Sequence, residues 1–595
     1  MCRGCFSTLL LKDDLYAGGS GGIFGRGRLH STRRNFMAFS VAAAGAAATA
    51  GGASPAIAAD AGADVIFKGG KIIPVPGAAP VEALAVGGGK ILALGAEATA
   101  AGLKSKDTKI IDLDGRVMMP GFIDPHNHTV LSALILGLLT DVGYTKFPTR
   151  SKLIAELRSM AAETPSGQWI SCANFDNLLQ GGDLSREELD GISTSHPIYV
   201  WYTNGHDACV NSMALKVAGI PENIGTLPGG GHFGRDDKGQ LNGLVYEESA
   251  LLKFVLLALP KITPPLAIKA VGDFLRSVAA TGNTTVHEPG TLRSEWIAQF
   301  ARLSPQAACR TSASLMYEDM KGYEPYRSLG LGAKATQLPN SLFSLYGVKI
   351  VGDGSNQTET AAQTVPYLDT DKKGTPNFDA QQMKQMVAEV KAAGLPIQIH
   401  CNGDYTIDIS LDAIEAAYGS STAQGINRIE HSTIARPEQI LRMKKLNVQP
   451  SFLMNHVRFY GAAYRDQIFG PERTAFTDPA GACVKAGVPF TLHTDSPCSP
   501  LGSLALVSTA VTRKCVIDGS TIGADQAVTL DEALRAVTIN AARQIGLGDR
   551  IGSLEKGKEA DLVILESDPY STNPENLGDI KVSETWVAGE MKFSR

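Results

Sequence analysis

Hydrophobic and polar positions change period along this chain. From Asp64 onward, short apolar runs are separated by Gly-Gly and Asp-Gly turns: DVIFKGGKIIPV, EALAVGGGKILALG and TKIIDLDGRVMMP. Such punctuation predicts hairpins of short strands. IGSLEKGKEADLVILE and SETWVAGEMKF near the other end read the same way. Neither group can bury a core alone, so the two chain ends are expected to pair into one small β-sandwich, residues 59–118 with 548–595. In the middle, Met383, Met386, Val387 and Val390 fall at i, i+3, i+4 and i+7 before Gly394 and the apolar run LPIQIH, which predicts a helix followed by a buried strand. The rhythm recurs in NTTVHEP, GVKIVGDG, INRIEH, NVQPSF and VPFTLHTD, each ending in polar or ionisable residues. Parallel strands with such residues at their C-terminal ends predict an α/β fold, a (β/α)8 TIM-like barrel over residues 119–547. Residues from about 141 to 265 break the rhythm and are expected to form an insertion near the barrel mouth.

A length of 595 residues fits this plan, being more than one simple core supports. With 44% hydrophobic and 19% charged residues, the composition excludes a disordered or collagen-like chain. A mean hydropathy of −0.01 excludes a polytopic membrane protein. Charge is uneven: residues 1–58 hold six Lys+Arg against two Asp+Glu, and the remainder holds 49 against 58. The acidic body makes nucleic acid an unsuitable partner. In the basic leader, Arg33-Arg34 precedes an Ala-rich run and Ala56-Ile57-Ala58, a pattern similar to a twin-arginine export signal. That run is too short to span a bilayer, so the expectation is a periplasmic or secreted protein without stable membrane insertion. Seven widely spaced cysteines after the leader, with no CxxC among them, form neither a disulfide framework nor a zinc ribbon.

The chemistry concentrates at strand ends. In GFIDPHNH, His126 and His128 alternate along an extended segment, share a face and can chelate one metal. His400 ends LPIQIH, His431 ends INRIEH and Asp495 ends VPFTLHTD. Taken singly, each is as readily a satisfied core histidine or a capping aspartate; together they fall in barrel order.

GFIDPHNH, VKIVGDGS, IQIHCNGD, RIEH, VQPS, HTDSP and IGSLEKGKEADLVIL together resemble the amidohydrolase superfamily of metal-dependent hydrolases, over essentially all of residues 64–570. NGHDACVNSMALKVAGI, PGGGHFGRDDKGQLNGLVYEES and TLDEALRAVTINAAR resemble its amidohydrolase-3 branch. The resemblance implies two divalent metal ions, zinc being expected, held by His126, His128, Lys349, His400, His431 and Asp495. Lys349 would be carboxylated, because an ammonium offers only donors whereas its carbamate is a bridging anionic ligand. Without the resemblance, Lys349 reads as a solvated strand-end lysine. Asp495 is implied as the general base that becomes the general acid.

Further residues carry secondary expectations. His206 and Glu247 are expected to contact substrate or support an oxyanion from the insertion, and His287-Glu288, placed after strand 3, to orient a ligand. Arg428 would anchor the barrel or a substrate carboxylate, and His456 would reach the pocket from strand 7. His493 stands where the family usually has glycine, and would share a face with Asp495 if strand 8 alternates regularly. The segment Asn455 to Tyr460 suggests an aryl or anionic substituent on the substrate. The expected function is metal-dependent hydrolysis of a C–N bond in a small amide or N-acyl substrate. An ester, lactone or cyclic amide would suit the same cluster, and a non-catalytic binding or regulatory protein on the same barrel is the alternative of another class. Oligomeric state is open, although barrels of this kind often pair as homodimers.

Overall fold

The structure, a computed structural model, describes residues 62–227, 231–259, 262–291, 302–323, 336–337 and 341–595. The expected export signal, residues 1–58, lies outside them.

Eight parallel strands form the barrel: Phe122–Asp124, Asn283–Thr291, Arg310–Met316, Phe343–Val351, Ile397–Cys401, Arg428–His431, Gln449–Phe452 and Thr491–Leu492. We number them barrel strands 1 to 8 in this order. Closure is made just past the ends of strands 8 and 1. Asp495 N donates to His126 O and His128 N to Ser496 O, both at 3.0 Å. The buried Asp124 carboxylate adds a tie, accepting from Thr494 Oγ1 at 2.5 Å and Thr494 N at 3.2 Å. Strand 1 approaches strand 2 so closely that a Cβ on Gly121 would lie 2.2 Å from Thr284 Cγ2.

Helices cover the outside. Ala380–Ala392 begins with a capping box between Asp379 and Gln382 and buries Met383, Met386, Val387 and Val390, the four positions singled out by their spacing. These pack with strand residues Ile397, Ile399 and Ile429 in the main core.

The chain ends meet in one continuous sheet rather than two stacked ones. Its order is Glu590–Ser594, Val582–Val587, Leu562–Leu565, Val117–Pro120, Ala63–Ile72, Val81–Gly87, Lys90–Gly95, with Lys104–Asp112 also on Ala63–Ile72. Phe67 and Trp586 lie three strand steps apart, about 14 Å in a flat sheet, yet their ring centroids are 5.1 Å apart. The sheet therefore curls over a single core containing Val65, Phe67, Leu84, Met118, Leu562 and Trp586.

Between barrel strands 1 and 2 the chain builds a separate six-stranded sheet, ordered His232–Arg235, Leu241–Tyr246, Asp207–Val210, Ile198–Tyr202, Ile170–Phe175, Thr140–Asp141. Leaving from the C-terminal end of strand 1, it stands at the barrel mouth. Among the described residues no helix is long and apolar enough to cross a membrane.

Candidate metal centre

The C-terminal ends of the barrel strands bring the six expected ligand residues into one buried site. His126 and His128 follow strand 1, Lys349 lies on strand 4, His400 near the end of strand 5, His431 at the end of strand 6 and Asp495 just beyond strand 8. The ring of His126 lies 4.8 Å from that of His431, which is 4.5 Å from that of His400. Asp495 Oδ1 is 3.2 Å from both His126 Nε2 and His128 Nε2. Two nitrogen or oxygen ligands on one tetrahedral zinc stand about 3.3 Å apart, given bonds of about 2.0–2.1 Å. His126 Nε2 and Asp495 Oδ1 are also buried without a hydrogen-bond partner, a costly arrangement that a cation between them would relieve. The donor set of imidazoles and carboxylate suits zinc.

Backbone strain helps to aim two of these groups. His431 has φ 66° and Asp495 φ 54°, both in the left-handed region that side-chain-bearing residues rarely occupy. In regular strand alternation Glu430 and His431 would face opposite sides; the reversed φ lets both serve the barrel interior.

Each of the four candidate ligand histidines has a neighbour behind it. His126 Nδ1 lies 2.6 Å from Glu430 Oε2, which Arg428 also contacts at 2.7 Å. His128 Nδ1 is 3.5 Å from Glu288 Oε1, and His400 Nε2 is 3.0 Å from the Gly354 carbonyl. His431 Nδ1 is 3.2 Å from His493 Nε2. Burial works to raise the Asp495 carboxyl, but the facing His126 and His128 outweigh it and hold it well below the usual carboxylate range. Burial lowers the Lys349 ammonium to about 8 against the pull of Glu430 and Asp495.

Over the site lies a small cavity of about 40 Å³. His400, His431 and Asp495 form its floor, and Asp176, Thr203 and Asn204 from the insertion and His456 and Tyr460 from the loop after strand 7 line its walls. That loop opens with a π-helical turn, His456–Tyr460, a rare form frequent at functional sites.

The secondary residues divide. His456 does line the cavity, its Nδ1 backed by Thr433 Oγ1 at 3.3 Å and Asp478 Oδ1 at 3.4 Å. Arg458 does not: its guanidinium lies over the Phe459 ring and donates to Thr509 Oγ1, and among the described residues no lysine or arginine lines the cavity, so the expected anionic contact finds no support there. His206 and Glu247 meet each other at 3.3 Å beside the wall residue Asn204 rather than in the lining. His287 lies on barrel strand 2, not after strand 3, because the insertion takes no barrel position. It is bonded to Ser312, Ser314 and Gln398 inside the barrel, and its neighbour Glu288 is the residue that faces a ligand. Arg428 is fully buried and anchors Glu430 and the Pro125 carbonyl. His493 stacks on His126 at 4.7 Å. Strand 8 ends at Leu492, so regular alternation does not relate His493 to Asp495. Glu430 escaped the reading of the sequence, although its i, i+2 spacing from Arg428 on strand 6 was an available signal.

Comparison with known proteins agrees with this geometry. The chain is 27% identical over 526 residues to N-substituted formamide deformylase of Arthrobacter pascens, covering 86% of this chain and 95% of that protein. It is 25% identical over 547 residues to Protein LONG AFTER FAR-RED 3 of Arabidopsis thaliana, covering 89% and 92%. An uncharacterized metal-dependent hydrolase from Pyrococcus horikoshii OT3 shares the fold, with a TM-score of 0.67 at 22% identity over 86% of this chain and 99% of that one. The amidohydrolase family model matches residues 109–593. Because that stretch makes up most of the chain and contains every barrel strand, this protein belongs to the amidohydrolase family.

Proposed function

We propose that the protein hydrolyses a C–N bond of a small amide or N-acyl substrate at a centre of two divalent metal ions, zinc being the best match to the donors. The observation that carries this reading is the pair of buried, unpartnered atoms His126 Nε2 and Asp495 Oδ1, set 3.2 Å apart at a tetrahedral ligand spacing. His126, His128, His400, His431 and Asp495 would hold the metals, with Lys349 between them as a carbamate. Lys349 suits that modification: it is buried, has no hydrogen bond or ion pair of its own among the described residues, and its lowered basicity leaves more free amine to attack CO2 and lose a proton. Bound there, the metals would supply an activated water and polarise the scissile carbonyl.

The residues do the rest. Asp495, held ionised, accepts the proton of the attacking water and returns it to the leaving nitrogen, so that amide and water give acid and amine. Glu430, Glu288 and the Gly354 carbonyl keep the ligand imidazoles turned toward the centre. The substrate carbonyl would have to descend through the cavity above to reach Asp495. The kinship with a formamide deformylase favours an amide over an ester. Export by the twin-arginine route remains part of this proposal and rests on the leader alone; intact leader on native protein from the cytoplasm would refute it.

The test is metal content by plasma mass spectrometry on chain purified without chelator and with bicarbonate, assayed on amides and esters. Two metals per chain, lost with amide turnover in His126→Ala, is the expected result. A metal-free chain inert after addition of zinc and bicarbonate would overturn it.

A further inference from the structure

We propose that Asn455 presents an acceptor oxygen to the scissile nitrogen of the substrate, so that the site takes amides whose nitrogen carries hydrogen in preference to tertiary amides and esters. This rests on the hydrolase reading above and narrows its substrate class. Asn455 stands three residues beyond strand 7 and lines the cavity together with Asp495, Cys498 and Ser499. It is tied to the loop that carries Asp495. Asn455 Nδ2 donates to Ser499 Oγ at 2.6 Å, and Ser499 Oγ donates to the Thr494 carbonyl. Cys498 N closes the same loop on the Asp495 carbonyl at 2.9 Å.

These bonds fix which way the Asn455 amide is turned. A serine hydroxyl has one proton, and Ser499 gives it to the Thr494 carbonyl, which can only accept. Toward Asn455 the hydroxyl must therefore accept, and only the amide nitrogen can give. Oδ1 is left on the other branch, with no hydrogen-bond partner among the described residues. It is not sealed among the buried partnerless atoms, and its residue lines the cavity, so the open side of this oxygen is the cavity itself. Among the described residues no lysine or arginine lines that space, and the wall residue Asp176 turns a carboxylate to Tyr460 and Leu179. A substrate N–H placed at Asn455 thus finds a waiting acceptor, whereas an oxygen or an alkylated nitrogen leaves Oδ1 without a partner and stripped of water. In the reaction, water adds to the carbonyl carbon, Asp495 passes the proton it took from that water to the nitrogen, the C–N bond breaks and its electron pair stays on the departing amine. The hydrogen that Asp495 delivers is engaged with Asp495, so contact with Asn455 needs a second one. A secondary or primary amide brings it; a tertiary amide or an ester does not. Because the nitrogen grows positive as it is protonated, the N–H contact with Oδ1 strengthens toward the transition state and favours turnover.

Zinc-loaded protein assayed on N-methylacetamide, N,N-dimethylacetamide and methyl acetate tests it, since the three share an acyl group and differ in the hydrogen on the leaving atom. Wild type should prefer N-methylacetamide to N,N-dimethylacetamide. Asn455→Leu keeps the bulk and removes the acceptor; it is expected to lower kcat/KM for N-methylacetamide by about 10-fold and to leave the other two substrates at their wild-type values. An equal fall on all three, the mark of a merely structural residue, would overturn the inference, as would no fall on any. Wild type that hydrolyses methyl acetate and neither amide would overturn it too. If Asn455→Leu does not fold, Ser499→Ala decides: without that hydroxyl the Asn455 amide loses its fixed sense, and the preference for N-methylacetamide over N,N-dimethylacetamide should shrink. An unchanged preference would count against the inference. Wild type that turns over none of the three would defeat the hydrolase reading, and the affinities of the two amides, titrated by ligand-observed magnetic resonance, then decide for Asn455. Tighter binding of N-methylacetamide would uphold the inference, and equal binding, or none, would overturn it.

Discussion

Glu430 Oε2 stands 2.6 Å from His126 Nδ1, with both side chains buried, although 304 positions separate them in the chain. Arg428, two residues from Glu430 and fully buried, holds the same carboxylate oxygen from the other side. The carboxylate thus orients one candidate metal ligand and balances one buried guanidinium. Glu430→Gln keeps the size but removes the charge. It is expected to lower metal affinity about 10- to 100-fold and to destabilise the fold by about 3–5 kcal/mol through the uncompensated Arg428. Zinc competition and urea unfolding of the metal-free chain measure the two effects separately; an unchanged unfolding midpoint would refute the second.

Asp495→Asn should leave the fold nearly intact, because the backbone bonds that close the barrel at this residue are kept. Turnover of the best amide substrate should fall by about 10²- to 10⁴-fold, the usual contribution of general acid–base catalysis. Steady-state kinetics at matched metal content check it, and near-normal turnover would remove Asp495 from its role.

Asp176, on the cavity wall, accepts from Tyr460 Oη at 2.5 Å and Leu179 N at 3.0 Å. Burial outweighs these bonds and raises its carboxyl from 3.8 to about 6. The folded state therefore holds this proton more tightly than the unfolded state. Stability from the group is complete below pH 4 and is lost as pH rises through 6. Asp176→Asn, which does not titrate, should gain on wild type by about 2–3 kcal/mol between pH 4 and 7. Unfolding free energies across that range test the sign; a gain for wild type would show a carboxyl lowered by folding.

At the opposite end of the barrel, Arg310 at the start of strand 3 bonds Asp561 twice, at 2.6 and 3.0 Å, and also meets Glu559. This joins barrel to sheet. Arg310→Ala leaves the buried Asp561 without its guanidinium, keeping only the bond from Ala588 N at 2.7 Å, and a loss of about 3–5 kcal/mol is expected. Activity per folded molecule should stay near wild type, since the ligands lie at the other ends of the strands. Calorimetry and an assay normalised to folded protein separate the two.

How much of this was legible beforehand depends on the range over which each feature is determined. Met383, Met386, Val387 and Val390 announced their buried helix face because a 3.6-residue period is local. Apolar runs ending in His400, His431 and Asp495 announced barrel strands for the same reason, and the spacing of His126 and His128 showed one shared face. The chain by itself thus determined its periodic elements and, with the family resemblance, pointed to the six candidate ligand positions that the fold brings together.

Tertiary structure decided the rest. It placed His287 among barrel serines rather than at the metals, turned Arg458 away from the cavity, and curled the end sheet so that Phe67 meets Trp586. It set φ of His431 to 66°, against the strand alternation that the sequence implies. It also assigned the partner of each ligand nitrogen: Glu430 to His126, Glu288 to His128, the Gly354 carbonyl to His400 and His493 to His431. Such pairings join residues from different strands, and a sequence period has no reach across them. Only closing the barrel brings the partners of each pair together.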